Sequence, residues 1–187
     1  AEPVYAHVPL VLATDRSKLS KRYMETSLLS YREEGYLGET IVNFLALLGW
    51  HPKGNEEIFS LSELVKEFDI RRVQKAGAVF NSEKLLWLNQ HYLRGRSVDE
   101  IAELLTPMLQ AKEMKVEEGL LRGIIRLERE RMRTLKDFFA LGMFFINLPD
   151  YGAELLVWQG DTMGKTQAVL ERALEALEHL PPEDYVR

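Results

Sequence analysis

The chain has 187 residues, of which 46% are hydrophobic and 28% are charged, a balance that excludes a wholly disordered chain and leaves room for one domain or two small ones. Lys and Arg total 24 against 29 Asp and Glu, so the net charge of −5 gives no support for nucleic-acid binding, and any such contact must be local. The absence of cysteine excludes disulfides, cysteine-based zinc sites and thiol catalysis.

The first predicted element is a β-strand over residues 5–12, which are rich in Val and Leu and are followed by the polar residues 14–17. One strand cannot form a sheet alone, and the chain begins at Ala1 without an initiator Met. We therefore expect the chain to be a piece of a longer protein, entered within its fold. No apolar run approaches the ~20 residues that span a bilayer, so no membrane partner is expected.

Beyond residue 30 the apolar positions recur at helical spacing, which predicts a mainly α fold. Residues 41–48 predict a buried helix that Gly49 ends in a left-handed conformation. Further helices are predicted at about residues 61–68, 70–76, 83–93, 98–111, 116–131, 135–147 and 163–179. Three of the helix starts have the hydroxyl and carboxylate spacing of a capping box, namely Ser60 with Glu63, Ser97 with Glu100, and Thr134 with Asp137. Gly95 is the best candidate for a domain boundary.

A cationic loop follows the predicted strand, at residues 16–22. Its two ammonium groups with a hydroxyl between them, Lys18, Ser20 and Lys21, suit a polyphosphate whose charge shifts outward as a phosphoanhydride bond breaks. The alternative is a solvated basic turn. Taken alone, the segment is too short to decide between these interpretations.

A line of arginines lies in the second half of the chain. Arg122, Arg126, Arg129 and Arg133 are spaced by four, three and four residues, which on one continuous helix gives a stripe that could contact phosphates. The alternative is a solvated helix face whose charge is partly offset by Glu128 and Glu130.

Arg131 is out of phase with this stripe. A continuous helix would turn its side chain into the apolar side that we assign to Leu120, Ile124, Leu127 and Leu135, where an unpaired guanidinium is costly. We therefore expect the helix to end near Arg131 and a new one to begin at Thr134, which leaves Arg131 at an elbow facing a groove.

A second basic cluster comprises Arg71, Arg72 and Lys75. It could contact RNA, or it could complement the dipole at a helix C-terminus.

Trp50 and Trp87 lie among Leu and Phe at helical spacing and are expected in the core. The four histidines are scattered, so no metal site is predicted.

Several of these segments together resemble a known family. Residues 18–22 read K-L-S-K-R, which is similar to the K-M-S-K-S motif of class I aminoacyl-tRNA synthetases. The segments Y-R-E-E-G-Y-L at 31–37, N-F-L-A-L-L-G-W at 43–50 and K-L-L-W-L-N at 84–89 resemble glutamyl-tRNA synthetase in order and spacing. The similarity extends over about residues 5–95 and more loosely to about 147.

The resemblance implies the C-terminal portion of a glutamyl-tRNA synthetase, which ligates glutamate to its tRNA in protein biosynthesis. The implied domains are the end of the catalytic fold at 1–32, a helical stem-contact domain at 33–95, and the first part of an α-helical anticodon-binding domain at 96–187. Lys21 foremost, with Lys18 and Ser20, would act on the ATP phosphates.

The resemblance also implies the ligands. The full enzyme would use ATP with Mg²⁺, whereas this chain lacks the family's ATP-gripping H-I-G-H-type motif and its glutamate pocket, so we expect it to bind neither cofactor and to be inactive alone. The implied partner is glutamate tRNA, and the chain is expected to be a monomer in the cytoplasm or an organelle. The arginine just ahead of the Thr-Leu-Lys segment is associated in the family with the last anticodon base. Arg131 best fits that place, with Arg129 and Arg133 as alternatives.

Two other functions stay open at this point. The chain could be a stand-alone helical RNA-binding or regulatory module derived from such a synthetase, without catalysis. It could also be a structural helical domain whose partner is a protein. Salt-dependent tRNA binding would separate RNA-binding functions from the last one, because counterion release accompanies phosphate contact.

Overall fold

The fold is that of a computed structural model, which describes residues 3, 5–19, 27–147, 150–158 and 160–179. The chain divides into two compact units, residues 1–147 and residues 148–187. Within the described residues the first unit contains β1 (Val11–Leu12), α1 (Leu28–Glu33), α2 (Gly38–Gly49), α3 (Leu61–Glu67), β2 (Ala78–Val79), α4 (Ser82–Arg94), α5 (Val98–Ala111), α6 (Glu118–Glu128) and α7 (Asp137–Ile146). A 3-10 turn at Ile70–Arg72 replaces the helix predicted over 70–76. The prediction of a mainly α fold is confirmed.

The predicted strand forms, but only its last two residues pair. Val11 pairs with Ala78 and Leu12 with Val79, giving a parallel two-stranded sheet with β2, a strand that the sequence analysis missed. The chain then turns back on β1, where the Leu19 amide donates to the Val11 carbonyl at 3.0 Å. This arrangement fixes the base of the cationic loop on the helical part of the first unit.

Three apolar clusters hold the first unit together. One is centred on α2 and α4 with Phe44, Phe80, Leu85 and Leu88, and another on Trp50, Phe59 and Leu64. The largest joins the end of α4 to α5, α6 and α7. Its fully buried members include Leu93, Ile101, Leu105, Ile124, Ile125, Met132 and Phe138. The two halves of the unit therefore share a continuous run of buried side chains along α4.

Two of the three predicted capping boxes are confirmed. The Ser60 and Ser97 hydroxyls each accept from the amide three residues on, and Glu63 and Glu100 return the bond. The Ser97 amide and hydroxyl, together with Arg96, hold the pKa of Glu100 down to about 2, the amide bond being the largest cause. Arg96 also pairs with Glu39, so it connects the starts of α5 and α2.

The third capping box is wrong. Helix α7 begins at Asp137 rather than after Thr134. The amides of Asp137 and Phe138 donate to the carbonyls of Thr134 and Leu135, three residues back, so the chain enters α7 through two tight turns. Only half of the box forms, because the Asp137 carboxylate accepts from the Thr134 amide at 2.9 Å. The other half is absent because the Asp137 amide donates to the Thr134 carbonyl and not to its hydroxyl. The Leu135 amide donates to Gly35, as it could at a helix start, where the first amides have no acceptor within the helix.

The predicted left-handed end at Gly49 is also wrong. Gly49 is the last residue of α2, and the chain continues through Trp50 in an extended conformation. The Gly49 carbonyl accepts from the Gln74 amide at 2.8 Å, so this end of the helix is satisfied by another segment and needs no left-handed residue.

The glycine that does adopt a left-handed conformation in the first unit is Gly35, with φ +84°. It lies between α1 and α2, and its carbonyl accepts from the Leu135 amide at 3.0 Å. A Cβ at this position would lie 2.7 Å from the backbone nitrogens of Leu135 and Lys136. Gly35 thus permits two segments that are distant in sequence to meet backbone to backbone.

The second unit contains a 3-10 turn at Ala153–Leu156 and helix α8 (Met163–Glu178). In its described part, Thr166 is the one buried residue of α8, and Leu170 and Leu174 are exposed along the helix.

Replacing Gly35 with Ala is expected to destabilise the first unit by about 1–3 kcal/mol, because a left-handed non-glycine residue is strained and the new methyl meets backbone. Urea denaturation of both proteins would measure the loss. Gly123→Ala is the matched control, since no atom lies within 4 Å of the place that its methyl would occupy and its interior helix position favours Ala. Equal stability of Gly35→Ala and the unchanged chain would contradict the assigned conformation.

Candidate nucleic-acid interface

The structure describes part of the cationic loop. Lys18 is exposed, and its backbone bridges to Leu12 of β1. The next residue, Leu19, packs on the cluster around Phe44 and Phe80. The candidate site residues Ser20 and Lys21 lie outside the described residues. The base of the loop is therefore fixed at Lys18, whose ammonium group is available to an anionic ligand.

The expected elbow is present between α6 and α7. Helix α6 ends at Glu128, whose carbonyl accepts from the amides of Arg131 and Met132 at 2.8 and 3.1 Å. The Asp137 carboxylate accepts from the amides of Arg133 and Thr134 at 2.8 and 2.9 Å. We call residues 129–136 the elbow. Both of its ends are tied by hydrogen bonds to the helices that they join.

The elbow is also tied to α4 by a buried amide. The Asn89 side chain accepts from the Leu37 amide at 2.9 Å and donates to the Arg133 carbonyl at 2.6 Å. Asn89 is fully buried. On its solvent side the elbow is joined to α4 by Arg94, which reaches the Glu130 carbonyl at 2.7 Å and its carboxylate at 3.2 Å. The elbow therefore has a fixed position on the first unit.

Arg131 points outward from this elbow. Its side chain is 65% exposed, and the guanidinium donates from Nη1 to Oε2 of Glu128 at 2.8 Å. The prediction that the helix ends near Arg131, and that Arg131 avoids the core, is confirmed, with α6 ending at Glu128. The apolar side given for the helix was wrong in part, because Leu120 and Leu127 are exposed and Leu121 and Ile125 are buried.

The arginine stripe is shorter than predicted. Arg122 and Arg126 lie on one side of α6, and Arg129 continues that side as the C-cap residue in helical conformation. Arg133 does not belong to the stripe, because α6 has ended before it. Its guanidinium pairs with Glu83 of α4 at 2.8 Å.

These arginines differ in how strongly they are held. Arg122 lies between Asp99, at 2.7 Å, and Glu118, so both ends of its guanidinium face carboxylates. Arg129 has a longer contact of 3.8 Å with Glu130. Arg126 is exposed and makes no ion pair with any residue in the described ranges. Arg126 is therefore the stripe's most available cation for a phosphate.

The second basic cluster separates into an exposed and an inward-facing arginine. Arg71 is exposed and forms a fork on Asp69 at 3.0 and 2.8 Å, and the bond from its side chain is the largest cause that lowers the pKa of Asp69 to about 2. The Arg72 guanidinium lies 5.0 Å from the centre of the buried Trp50 ring and donates to the Glu67 carbonyl. The Arg71 side chain lies at the surface with two of its nitrogens engaged by Asp69, whereas the contacts of Arg72 are those of a packing residue.

The two tryptophans expected in the core differ. Trp50 is buried, as predicted. Trp87 is 45% exposed, so its assignment to the core was wrong. It lies one turn from Glu83 on α4, on the outward side of that helix, with its ring 6.5 Å from that of His91.

Two residues that bond to the elbow, one on α6 and one on α4, were not recognised as important from the sequence. Glu128 was interpreted as a solvated charge, yet its side chain is only 8% exposed. Its place in the series Leu121, Ile124, Ile125 and Glu128 was a signal, because that spacing defines one buried helix face. Asn89 likewise follows the buried Leu85 and Leu88 at helical spacing, and a polar residue there indicates a buried hydrogen bond.

Neither a metal centre nor a membrane span is found in the part of the chain that the structure describes. Those residues include no group of three or more His, Cys, Asp or Glu that could hold a metal ion. They also include no helix that is long and apolar enough to cross a membrane.

Comparison with family models divides the chain in two. Residues 1–87 match the model described as tRNA synthetases class I (E and Q), catalytic domain, and residues 100–185 match the model described as anticodon binding domain. The two matches together cover nearly the whole chain.

Individual relatives agree with this division. The glutamate–tRNA ligase of Moorella thermoacetica is 42% identical over 186 residues, covering 96% of this chain and 38% of the relative. Glutamate–tRNA ligase 2 of Thermoanaerobacter pseudethanolicus is 41% identical over 184 residues, with the same two coverages. A crystal structure of a glutamate tRNA ligase from Elizabethkingia meningosepticum, in complex with its amino acid, matches 96% of this chain and 39% of its own, with a TM-score of 0.78 and 34% identity. The chain thus spans well under half the length of these relatives.

Replacing Asn89 with Ala is expected to lower the free energy of unfolding, because it leaves the Leu37 amide and the Arg133 carbonyl buried without their partner, at about 1–3 kcal/mol for each group. Urea denaturation would measure the change. Gln90→Ala is the control, since Gln90 makes only a 3.3 Å bond to the elbow and should cost about 1 kcal/mol or less. A loss at Asn89 no greater than at Gln90 would contradict the role given to this amide.

Proposed function

Because the chain belongs to the glutamyl-tRNA synthetase family of class I aminoacyl-tRNA synthetases, we propose that it forms the tRNA-binding portion of a glutamate–tRNA ligase. The observation that carries the proposal is the elbow, which holds an exposed guanidinium at a fixed place within the residues that match an anticodon-binding model. Rigid presentation matters because a planar fork of donors discriminates a base edge only when its orientation is set.

The domains follow the sequence analysis. Residues 1–32 form the end of the catalytic fold, residues 33–95 the stem-contact domain, and residues 96–187 the first part of the anticodon-binding domain. The fixed contacts between α4 and the elbow support this division of labour, because they hold the second and third regions in one relation within the first unit. One tRNA can then contact both regions at once.

The arginines take different parts in tRNA binding. Arg131 contacts the last anticodon base, since it is the elbow arginine with the most exposed side chain. Arg126 and Arg129 contact phosphates along α6. Arg122 and Arg133 also face the RNA but are largely neutralised by carboxylates of the protein, and they set the shape of the surface more than its charge. Arg71 meets the RNA near the stem-contact helices, and Arg72 supports this segment by packing on Trp50.

The whole protein would ligate glutamate to tRNA using ATP. The exposed Lys18 at the fixed base of the cationic loop fits a phosphate ligand, and Lys21 with Ser20 would complete the loop. Ammonium groups there would stabilise the pyrophosphate that leaves when ATP activates glutamate. We assign no Mg²⁺ ligand within this chain, and a cytoplasmic, monomeric protein stays our expectation.

The chain alone is expected to form no glutamyl adenylate from ATP and glutamate, because the family's ATP-gripping motif and glutamate pocket are not in this sequence. A pyrophosphate-exchange assay with the purified chain and with a full-length ligase as positive control would measure this. Glutamate-dependent exchange by the chain would contradict the assignment of the missing catalytic half.

Binding of a glutamate tRNA transcript is expected to weaken as salt rises, by about 0.7–0.9 log units per log unit of salt for each phosphate neutralised. Arg126→Gln should reduce this slope by about one such unit, because it removes a guanidinium that no described carboxylate holds. Lys115→Gln is the control for the loss of one charge, since Lys115 precedes the N-terminus of α6 and Arg126 lies near its C-terminus. A flat salt response of the unchanged chain would favour a protein partner instead of RNA.

A further inference from the structure

Glu128 is a buried residue whose carboxylate pairs with an exposed arginine side chain. Its side chain is 8% exposed, while the side chain of Arg131, whose guanidinium it binds at 2.8 Å, is 65% exposed. Withdrawing a carboxylate from water is costly unless it is paired, and packing alone would be served as well by an apolar side chain of similar volume. We therefore infer that the carboxylate serves to hold the Arg131 guanidinium and not to fill the core.

Glu128 sets the elbow through both of its acceptor groups. Its backbone carbonyl accepts from the amides of Arg131 and Met132, and its carboxylate accepts from Arg131 Nη1. Met132 is fully buried beside it, which prevents this turn from shifting. Backbone and side chain of Arg131 are thus anchored to the same residue, and the side chain loses much of the rotamer freedom that a surface arginine has.

The pairing leaves the rest of the guanidinium available. Within the described ranges, neither Nε nor Nη2 of Arg131 donates to a protein acceptor. A planar group held at one nitrogen, with donors free along its other edges, is oriented and still able to bind two acceptors of an RNA base. Neighbouring glutamates do not share this arrangement, since Glu130 is exposed and contacts Arg94 and Arg129.

We propose that Glu128 is a positioning residue, which orients the Arg131 guanidinium for base recognition before RNA binds. The proposal rests on the proposed function of Arg131 and adds to it the source of its specificity. Prior orientation lowers the entropy that binding must remove, and it strengthens the interaction with the base whose acceptors match the fixed donors. A mismatched base gains less, so discrimination between the two bases rises.

The test uses two transcripts of glutamate tRNA that differ only at the last anticodon base, titrated against the full 187-residue chain. Arg131→Gln should reduce the ratio of the two affinities by about tenfold. Glu128→Gln, which keeps the shape of the side chain, should reduce the same ratio by about threefold or more. Glu103→Gln, which removes a charge from an exposed glutamate of α5 outside the elbow, should leave the ratio unchanged.

The double variant separates positioning from a merely structural role. If Glu128 acts through Arg131, then Glu128→Gln has no further effect on the ratio once Arg131 is Gln. An equal loss of affinity for both transcripts, or an added effect in the Arg131→Gln background, would overturn the proposal while leaving the function of Arg131 intact. An unchanged ratio for Arg131→Gln itself would overturn the proposed base contact, and the role of Glu128 with it.

A measurement on the unchanged chain does not depend on whether a variant folds. Nitrogen relaxation of the arginine side chains should give the Arg131 Nε a clearly higher order parameter than the unpaired Arg126 Nε, because of the two only Arg131 has its guanidinium held by a carboxylate of the described residues. Equal mobility of the two groups in the RNA-free chain would overturn the proposal.

Discussion

The position of the candidate surface depends on one buried amide. Asn89 accepts from Leu37 and donates to Arg133, so a single side chain of α4 holds the start of α2 and the elbow together. Buried polar groups favour one arrangement strongly, because any other leaves a donor or acceptor without a partner. Apolar packing on α4 permits small displacements of the elbow, whereas the hydrogen-bonding directions of the amide do not.

The charges around this amide act in a consistent way. Most of the arginines predicted to meet RNA are already engaged by carboxylates of the protein, at partly exposed sites where each pair contributes little to stability. Their main effect is on conformation, since they restrict where long side chains point. They also lower the local positive charge, in a chain whose net charge is already −5.

The local features of the fold could be predicted from the sequence, because each depends on a few neighbouring residues. The capping boxes at Ser60 and Ser97 form as expected, and the phase of Arg131 correctly indicated an elbow. Features that depend on distant segments could not. The bond from the Leu135 amide to Gly35 left no local pattern, and β2 was missed because two residues carry too little pattern. The exposure of Trp87 likewise depends on which side of α4 the other helices cover.

The backbone contact at Gly35 has a consequence for the order in which the molecule forms. Gly35 meets Leu135, and Glu34 pairs with Lys136 across 102 residues of sequence. Closing so long a loop costs entropy that only the completed contact repays, so such junctions assemble late. A nascent chain emerging from the ribosome would thus carry every arginine of α6 before it could display them as one surface. On this reasoning, the surface that we propose for RNA is complete only once synthesis has passed the elbow.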